Sequence, residues 1–223
     1  MIKNVLIDVD NTLLDFDESA KQSVKLGFAE FGIPYSDWTF ERFRKINLDM
    51  WMAMERGEIT KEELMRTRWQ NVFKHLDIDA DGIKFEHRFR ELLNECAIQI
   101  EGAMDALEYL ASKYPVSVAS NAPYNQQLHR LSSANMLQYI DNVFVSEKIG
   151  FSKPNKEFFD ACFANSPYFP DETVMIGDSL TADINGAIAY GIHTCWYNHY
   201  NEDASNVNCD WVVHSMAELK DIF

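Results

Sequence analysis

The stretch Val5-Leu6-Ile7-Asp8-Val9-Asp10-Asn11-Thr12-Leu13-Leu14 starts as a short apolar run and then delivers two carboxylates and a hydroxyl in quick succession. An apolar run of this kind near the N-terminus predicts a strand buried on both faces, as strands of parallel sheets are. Asp8 and Asp10 then emerge at the C-terminal edge of the sheet, where open α/β sheets bind ligands. Like charges so close together repel unless a cation or a hydrogen-bond donor offsets them, so the pair costs stability and points to chemistry. A capped polar corner after a strand uses the same residue types. The rest of the chain decides between the two.

With 223 residues, 47% hydrophobic and 25% charged, the chain has ample material for a globular core. Thirty-five acidic against twenty basic residues give a formal charge of −15. That charge repels nucleic acid and anionic membrane surfaces, so neither is an expected partner. An anionic substrate must therefore be drawn in locally, by a metal ion or a few placed bases. Cys96, Cys162, Cys195 and Cys209 are widely spaced, without the pairing of a zinc ribbon or a disulfide framework. No apolar stretch approaches a membrane span and the start carries no signal-peptide pattern, so the expected location is the cytoplasm.

From Phe16 to about Ile98 the pattern is helical throughout, with apolar residues at helical spacing in Ser19 to Phe31, Phe40 to Met54, Lys61 to Leu76 and Phe85 to Cys96. Thr60 and Glu63 form a capping box at the head of the third helix. After Gly102 short β-rich runs alternate with helices: Val116 to Ser120, Val143 to Ser146, Thr173 to Gly177, Ile192 to Trp196 and Trp211 to Val213. This alternation predicts right-handed βαβ units and a parallel sheet with helices on both faces. The fold expected is a Rossmann-like α/β core made of residues 1–15 and 99–223, with an all-helical domain, 16–98, inserted after the first strand. Such an insert is placed to act as a lid.

The predicted strand ends finish in polar residues: Asp8, Asp10 and Thr12; Ser120 and Asn121; Lys153 before Pro154; Asp178 after Gly177, with Asp183 following. In a doubly wound sheet these loops share one edge. Together they can transfer a phosphoryl group. Asp8 acts as nucleophile and forms an aspartyl-phosphate. A hard divalent cation, best Mg²⁺, offsets the repulsion between carboxylate and phosphate. Asp8 and Asp178 are its candidate direct ligands, with Asp183 through water and Asp10 through its carbonyl. Asp10 serves as acid and then base. Ser120, Asn121 and Lys153 hold the phosphate oxygens, and Thr12 supports the Asp10 loop and the phosphate site. Each residue has a blander role open to it: Lys153 as a solvated helix-start lysine, Asp178 and Asp183 as helix-capping acids, Ser120 and Asn121 as caps of the next helix. The cap residues Met50, Trp51, Met52, Met54 and Trp69 are read as helix packing rather than a base-stacking platform.

These residues, in this order, resemble the four motifs of the haloacid dehalogenase-type hydrolases: Asp8-Val9-Asp10-Asn11-Thr12, Ser120-Asn121, Lys153-Pro154 and Gly177-Asp178-Ser179-Leu180-Thr181-Ala182-Asp183. The resemblance covers essentially the whole chain, and the helical insert is similar to that superfamily's first class of cap. Asn47 to Trp51, Gly57 to Thr60, Gly150 to Lys156 and Thr194 to Trp196 resemble the bacterial pyrimidine and non-canonical 5'-nucleotidase branch, except that Ser120-Asn121-Ala122 stands where Thr-Asn-Gly is common. The resemblance implies a Mg²⁺-dependent phosphatase of small phosphorylated metabolites, foremost a nucleoside 5'-monophosphate, acting as a monomer or weak homodimer. A carboxyl at Asp10 suits an alkoxide leaving group, which a dehalogenase does not have. A sugar-phosphate phosphatase, a phosphomutase and an inactive phosphate-binding protein of the same fold are the alternatives.

Overall fold

Six strands, all paired in parallel, form one sheet: β1 (Asn4–Ile7), β2 (Val116–Ser120), β3 (Asn142–Val145), β4 (Thr173–Gly177), β5 (His193–Tyr197) and β6 (Trp211–Val213). The structure, a computed structural model, describes residues 1–223. Across the sheet the order is β3-β2-β1-β4-β5-β6, the doubly wound order in which the winding reverses between β1 and β4. The apolar run that opens the chain is the reason β1 is central. All four of its residues are buried, and Val5 pairs with Val116 on one side and Val174 on the other. No position on β1 faces water, so the strand tolerates no alternation of polar residues.

The chain divides into two compact units, Met1–Asp15 with Ile98–Phe223, and Phe16–Ala97. The two crossing segments run side by side, Asp15 N donating to Ile98 O at 2.8 Å. In the sheet-bearing unit the helices are α5 (Ala103–Lys113), α6 (Tyr124–Ser133), α7 (Ser146–Ile149), α8 (Lys156–Phe163), α9 (Gly186–Tyr190) and α10 (Leu219–Ile222). Phe158, Phe159, Cys162 and Ala187 pack on Leu6, Ala119 and Met175 of the sheet. One element departs from expectation. Between β4 and β5, where the alternation predicts a regular helix, the chain opens with a wide π-helical turn, Leu180–Asn185, that runs into the short α9. Such widened turns are uncommon and concentrate at functional positions.

The helical unit contains α1 (Phe16–Glu30), α2 (Asp37–Glu55), α3 (Lys61–His75) and α4 (Gly82–Glu95). Phe28, Phe43, Trp69, Phe73, Phe85 and Phe89 form an aromatic core, Trp69 lying flat on Phe43 with ring centroids 4.7 Å apart. Burying each such ring stabilises the unit by about 1.5–3 kcal/mol. Trp69 and Met54 are buried, as the packing reading requires, whereas Met50 and Trp51 keep partial exposure and Met52 is exposed. Within the core, Arg68 makes two hydrogen bonds to Glu86, 2.7 and 3.1 Å long, and a third to Asn47 at 2.9 Å. The capping box of Thr60 and Glu63 is present. No helix is long and apolar enough to cross a membrane, and all four cysteines are free.

Candidate active site

β1 ends at Ile7, and the next residue extends its ladder by one bond, Asp8 N donating to Ile176 O of β4 at 2.9 Å. This fixes the Asp8 side chain at the C-terminal edge, beside the point where the winding of the sheet reverses. Beyond it the chain turns sharply, with Leu13 N and Leu14 N both donating to Val9 O, at 2.9 and 2.8 Å. Asn11 takes a left-handed backbone conformation, φ 58°, that asparagine tolerates better than most residues.

Lys153 joins the motifs. Its ammonium is buried and donates to Asp8 Oδ1 at 2.8 Å, to Asp183 Oδ1 at 2.6 Å and to the Ala119 carbonyl. These three acceptors match the three protons of an ammonium. Burial works against the lysine's charge, yet the carboxylates of Asp183 and Asp8 outweigh it and raise the pKa above the ordinary lysine value. Burial pushes Asp8 up to about 7 even with Lys153 beside it, the charges of Asp183 and Asp10 adding to the shift. For Asp178, loss of surrounding water and then the charges of Asp8 and Asp183 raise the carboxyl well above its usual range. One ammonium therefore leaves the carboxylate cluster with excess negative charge.

Asp8, Asp178 and Asp183 each bring a carboxylate oxygen within 4.8 Å of the others. Hard oxygen donors with uncompensated charge fit a divalent cation such as Mg²⁺. The three acids are not equivalent. Asp183 is wholly buried, and its second oxygen accepts the Ser179 N–H at 3.1 Å, so both its oxygens already meet protein donors. Asp178 is partly exposed. Its main-chain carbonyl accepts the Trp196 indole N–H at 2.9 Å, which ties the loop to β5. Gly177 makes this arrangement possible, because a Cβ there would lie 2.2 Å from Asp183 Oδ2. The wide turn at Leu180–Asn185 and the missing side chain at Gly177 thus fold Asp183 back onto the end of β4.

The remaining expected phosphate ligands hold different places in the structure. Ser120 Oγ accepts from Ala122 N at 3.1 Å and from Gln127 Nε2 at 2.9 Å, which leaves its proton to be donated. The Asn121 carboxamide is turned to the Lys153 main chain, donating to its carbonyl at 3.0 Å and accepting its N–H at 2.9 Å. Its side chain therefore clamps two loops together at the cis Lys153–Pro154 peptide. Thr12 is wholly buried inside the Asp10 loop, and its hydroxyl has no hydrogen-bond partner in the protein. Lys153 reaches carboxylates rather than open solvent.

Asp10 brings in two residues that no motif announced. Its Oδ2 accepts from Gln127 Nε2 at 2.7 Å and its Oδ1 pairs with Arg130, both residues projecting from α6 and both wholly buried. Their spacing of three along a helix was legible as a shared face. That the face meets Asp10 was not, because the contact spans 117 residues of sequence.

Among known proteins, a model of the haloacid dehalogenase-like hydrolases matches residues 5–197. The HAD-hydrolase YfnB of Bacillus subtilis is 36% identical over 197 residues, 88% of this chain and 84% of its own. A crystal structure of YfnB bound to magnesium superposes with a TM-score of 0.94 at 32% identity, covering 99% of this chain and 98% of that one. Pyrimidine 5'-nucleotidase PynA of Streptococcus pneumoniae is 32% identical over 98% of this chain and 94% of its own. Pyrimidine 5'-nucleotidase YjjG of Escherichia coli is 26% identical over 98% and 96%.

Proposed function

The chain belongs to the haloacid dehalogenase-like hydrolases, and from that premise we propose that it is a Mg²⁺-dependent phosphatase of nucleoside 5'-monophosphates. The observation that carries the reading is the buried nucleophile, Asp8, set among Lys153, Asp178 and Asp183 with a second carboxyl, Asp10, following it on the same loop. Two relatives named as pyrimidine 5'-nucleotidases favour the nucleotide substrate.

In this reading Asp8 attacks phosphorus, the new Asp8 oxygen–phosphorus bond forming as the bond to the leaving oxygen breaks. Asp10 gives its proton to that leaving alkoxide and later takes one from the water that attacks the aspartyl-phosphate. Ser120, whose oxygen already accepts two N–H groups, donates its hydroxyl proton to a phosphate oxygen. Lys153 sets a positive charge between Asp8 and Asp183 and so offsets the repulsion between the two carboxylates. Asp8 and Asp178 would hold the cation, with Asp183 behind them, and a bound Mg²⁺ would supply positive charge to offset the phosphate dianion. A halide leaving group needs no proton, so Asp10 is better suited to a phosphate ester than to a haloacid.

The test is phosphate release from UMP, dUMP, dTMP, purine monophosphates and glucose 1-phosphate, with Mg²⁺ and with chelator, by wild type and Asp8→Asn. Release from the pyrimidine nucleotides, abolished by chelator and by the substitution, is expected. Release that survives Asp8→Asn, conversion of glucose 1-phosphate to the 6-phosphate without release, or halide release from 2-chloropropionate would overturn it.

A further inference from the structure

We infer that Gln127 and Arg130 are positioning residues that hold the Asp10 carboxyl in place for both of its proton transfers, the one to the leaving oxygen and the one from water, so that with a leaving group needing no proton they govern only the breakdown of the phosphorylated enzyme. The inference rests on the phosphatase reading above. Both Asp10 oxygens accept N–H donors, Oδ1 from the Arg130 guanidinium and Oδ2 from Gln127 at 2.7 Å.

Burial shows that the contact is more than surface pairing. Arg130 is wholly buried, while Asp10 keeps about a quarter of its side chain exposed, so an open side remains from which a water proton can be taken. Removing a guanidinium from water is costly unless a carboxylate meets it. Here that carboxylate is the one group in the site expected to exchange protons. Gln127 is equally buried, and its amide nitrogen spans Asp10 and Ser120 Oγ, 2.7 and 2.9 Å away. One amide therefore sets the distance between the proton-transfer group and the hydroxyl offered to phosphate. Helical spacing on α6 puts both positioning residues on the same side.

The two half-reactions need Asp10 in opposite forms. In the first, the Asp8 oxygen–phosphorus bond forms, the ester oxygen–phosphorus bond breaks, and the proton of Asp10 moves to the leaving oxygen. In the second, a water oxygen bonds phosphorus, the Asp8 oxygen is released, and one water proton moves to Asp10. A substrate whose leaving group departs as a stable anion bypasses the first proton transfer but not the second. p-Nitrophenyl phosphate is such a substrate.

The experiment is rapid-mixing kinetics of p-nitrophenolate release with Mg²⁺, for wild type, Gln127→Leu, Arg130→Met and Arg130→Lys, beside phosphate release from UMP. The variants are expected to give a rapid burst near one equivalent per folded chain. Steady turnover should follow, slower by about 10²-fold, the lower end of what proton transfer contributes. With UMP the loss is expected without a burst of uridine, since its alkoxide needs the proton in the first step too. Arg130→Lys, which keeps the charge, should recover part of the turnover lost in Arg130→Met. Burst and steady phases that fall together, wild-type turnover in Gln127→Leu and Arg130→Met, or Arg130→Lys as slow as Arg130→Met would overturn the inference. A wild type that turns over UMP normally while the variants behave in one of these ways leaves the phosphatase reading standing. A wild type that releases no phosphate from any ester brings down both.

Discussion

Replacing Lys153 with methionine keeps the length of the side chain and removes its charge from the middle of three acids. The ammonium lies 2.8 Å from Asp8 and 2.6 Å from Asp183, and the side chain is only 2% exposed. Without it, three carboxylates within 4.8 Å of one another have no ammonium among them. Breaking a buried pair by removing one partner costs about 3–5 kcal/mol, because the other charge is left behind. For a chain of this size each kcal/mol moves the melting midpoint by about 2–4 °C, so metal-free Lys153→Met should melt about 6–20 °C below wild type. Mg²⁺ should then raise the midpoint of the variant by more than it raises that of wild type, since the cation supplies charge the lysine no longer does. Scanning calorimetry with chelator and with saturating Mg²⁺ measures both. A metal-free shift under about 2 °C, less than about 1 kcal/mol on the same scale, or an equal response to Mg²⁺, would refute the electrostatic account of Lys153.

Other substitutions test separate contacts. Gly177→Ala would place a Cβ 2.2 Å from Asp183 Oδ2; an overpacking cost of about 1–3 kcal/mol is expected in urea unfolding, together with loss of phosphate release. Trp196→Phe deletes the N–H held by the Asp178 carbonyl, and calorimetric titration should show Mg²⁺ affinity falling about 10-fold, with the melting midpoint nearly unchanged. In the helical unit, Arg68→Met strands the buried Glu86 and should cost about 3–5 kcal/mol, most of which Arg68→Met with Glu86→Leu should restore. An additive double variant would mean the pair contributes nothing as a pair.

Periodicity carried the fold because it is a local property. The apolar run of β1, the β-rich runs after Gly102 and the helical spacing between Phe16 and Ile98 each register within a dozen residues, and a parallel sheet followed from how such units wind. The wide turn at Leu180–Asn185 had no local signal; it follows from Asp183 folding onto Gly177, a contact that helical spacing cannot encode. The acids Asp8, Asp10 and Asp178 were legible because strand ends share an edge. What each side chain does at that edge was less so. Asn121 and Thr12 are of the right type to meet phosphate, and in the structure one clamps the Lys153 main chain and the other is buried. Gln127 and Arg130 escaped notice because their value lies wholly in a contact with a residue more than a hundred positions away. The spacing of polar groups at a strand end predicts where a site is; partners supplied from another helix decide how its members are divided between binding and support.

The most direct test of the account is to find the covalent intermediate. Protein mixed with substrate and Mg²⁺, quenched in acid and reduced with borohydride, should carry a homoserine in place of one aspartate, located by peptide mass spectrometry. The account predicts that conversion at Asp8 alone, dependent on substrate and absent when chelator is added first. No homoserine at position 8 under turnover, or its appearance at Asp10 or Asp178 instead, would contradict it.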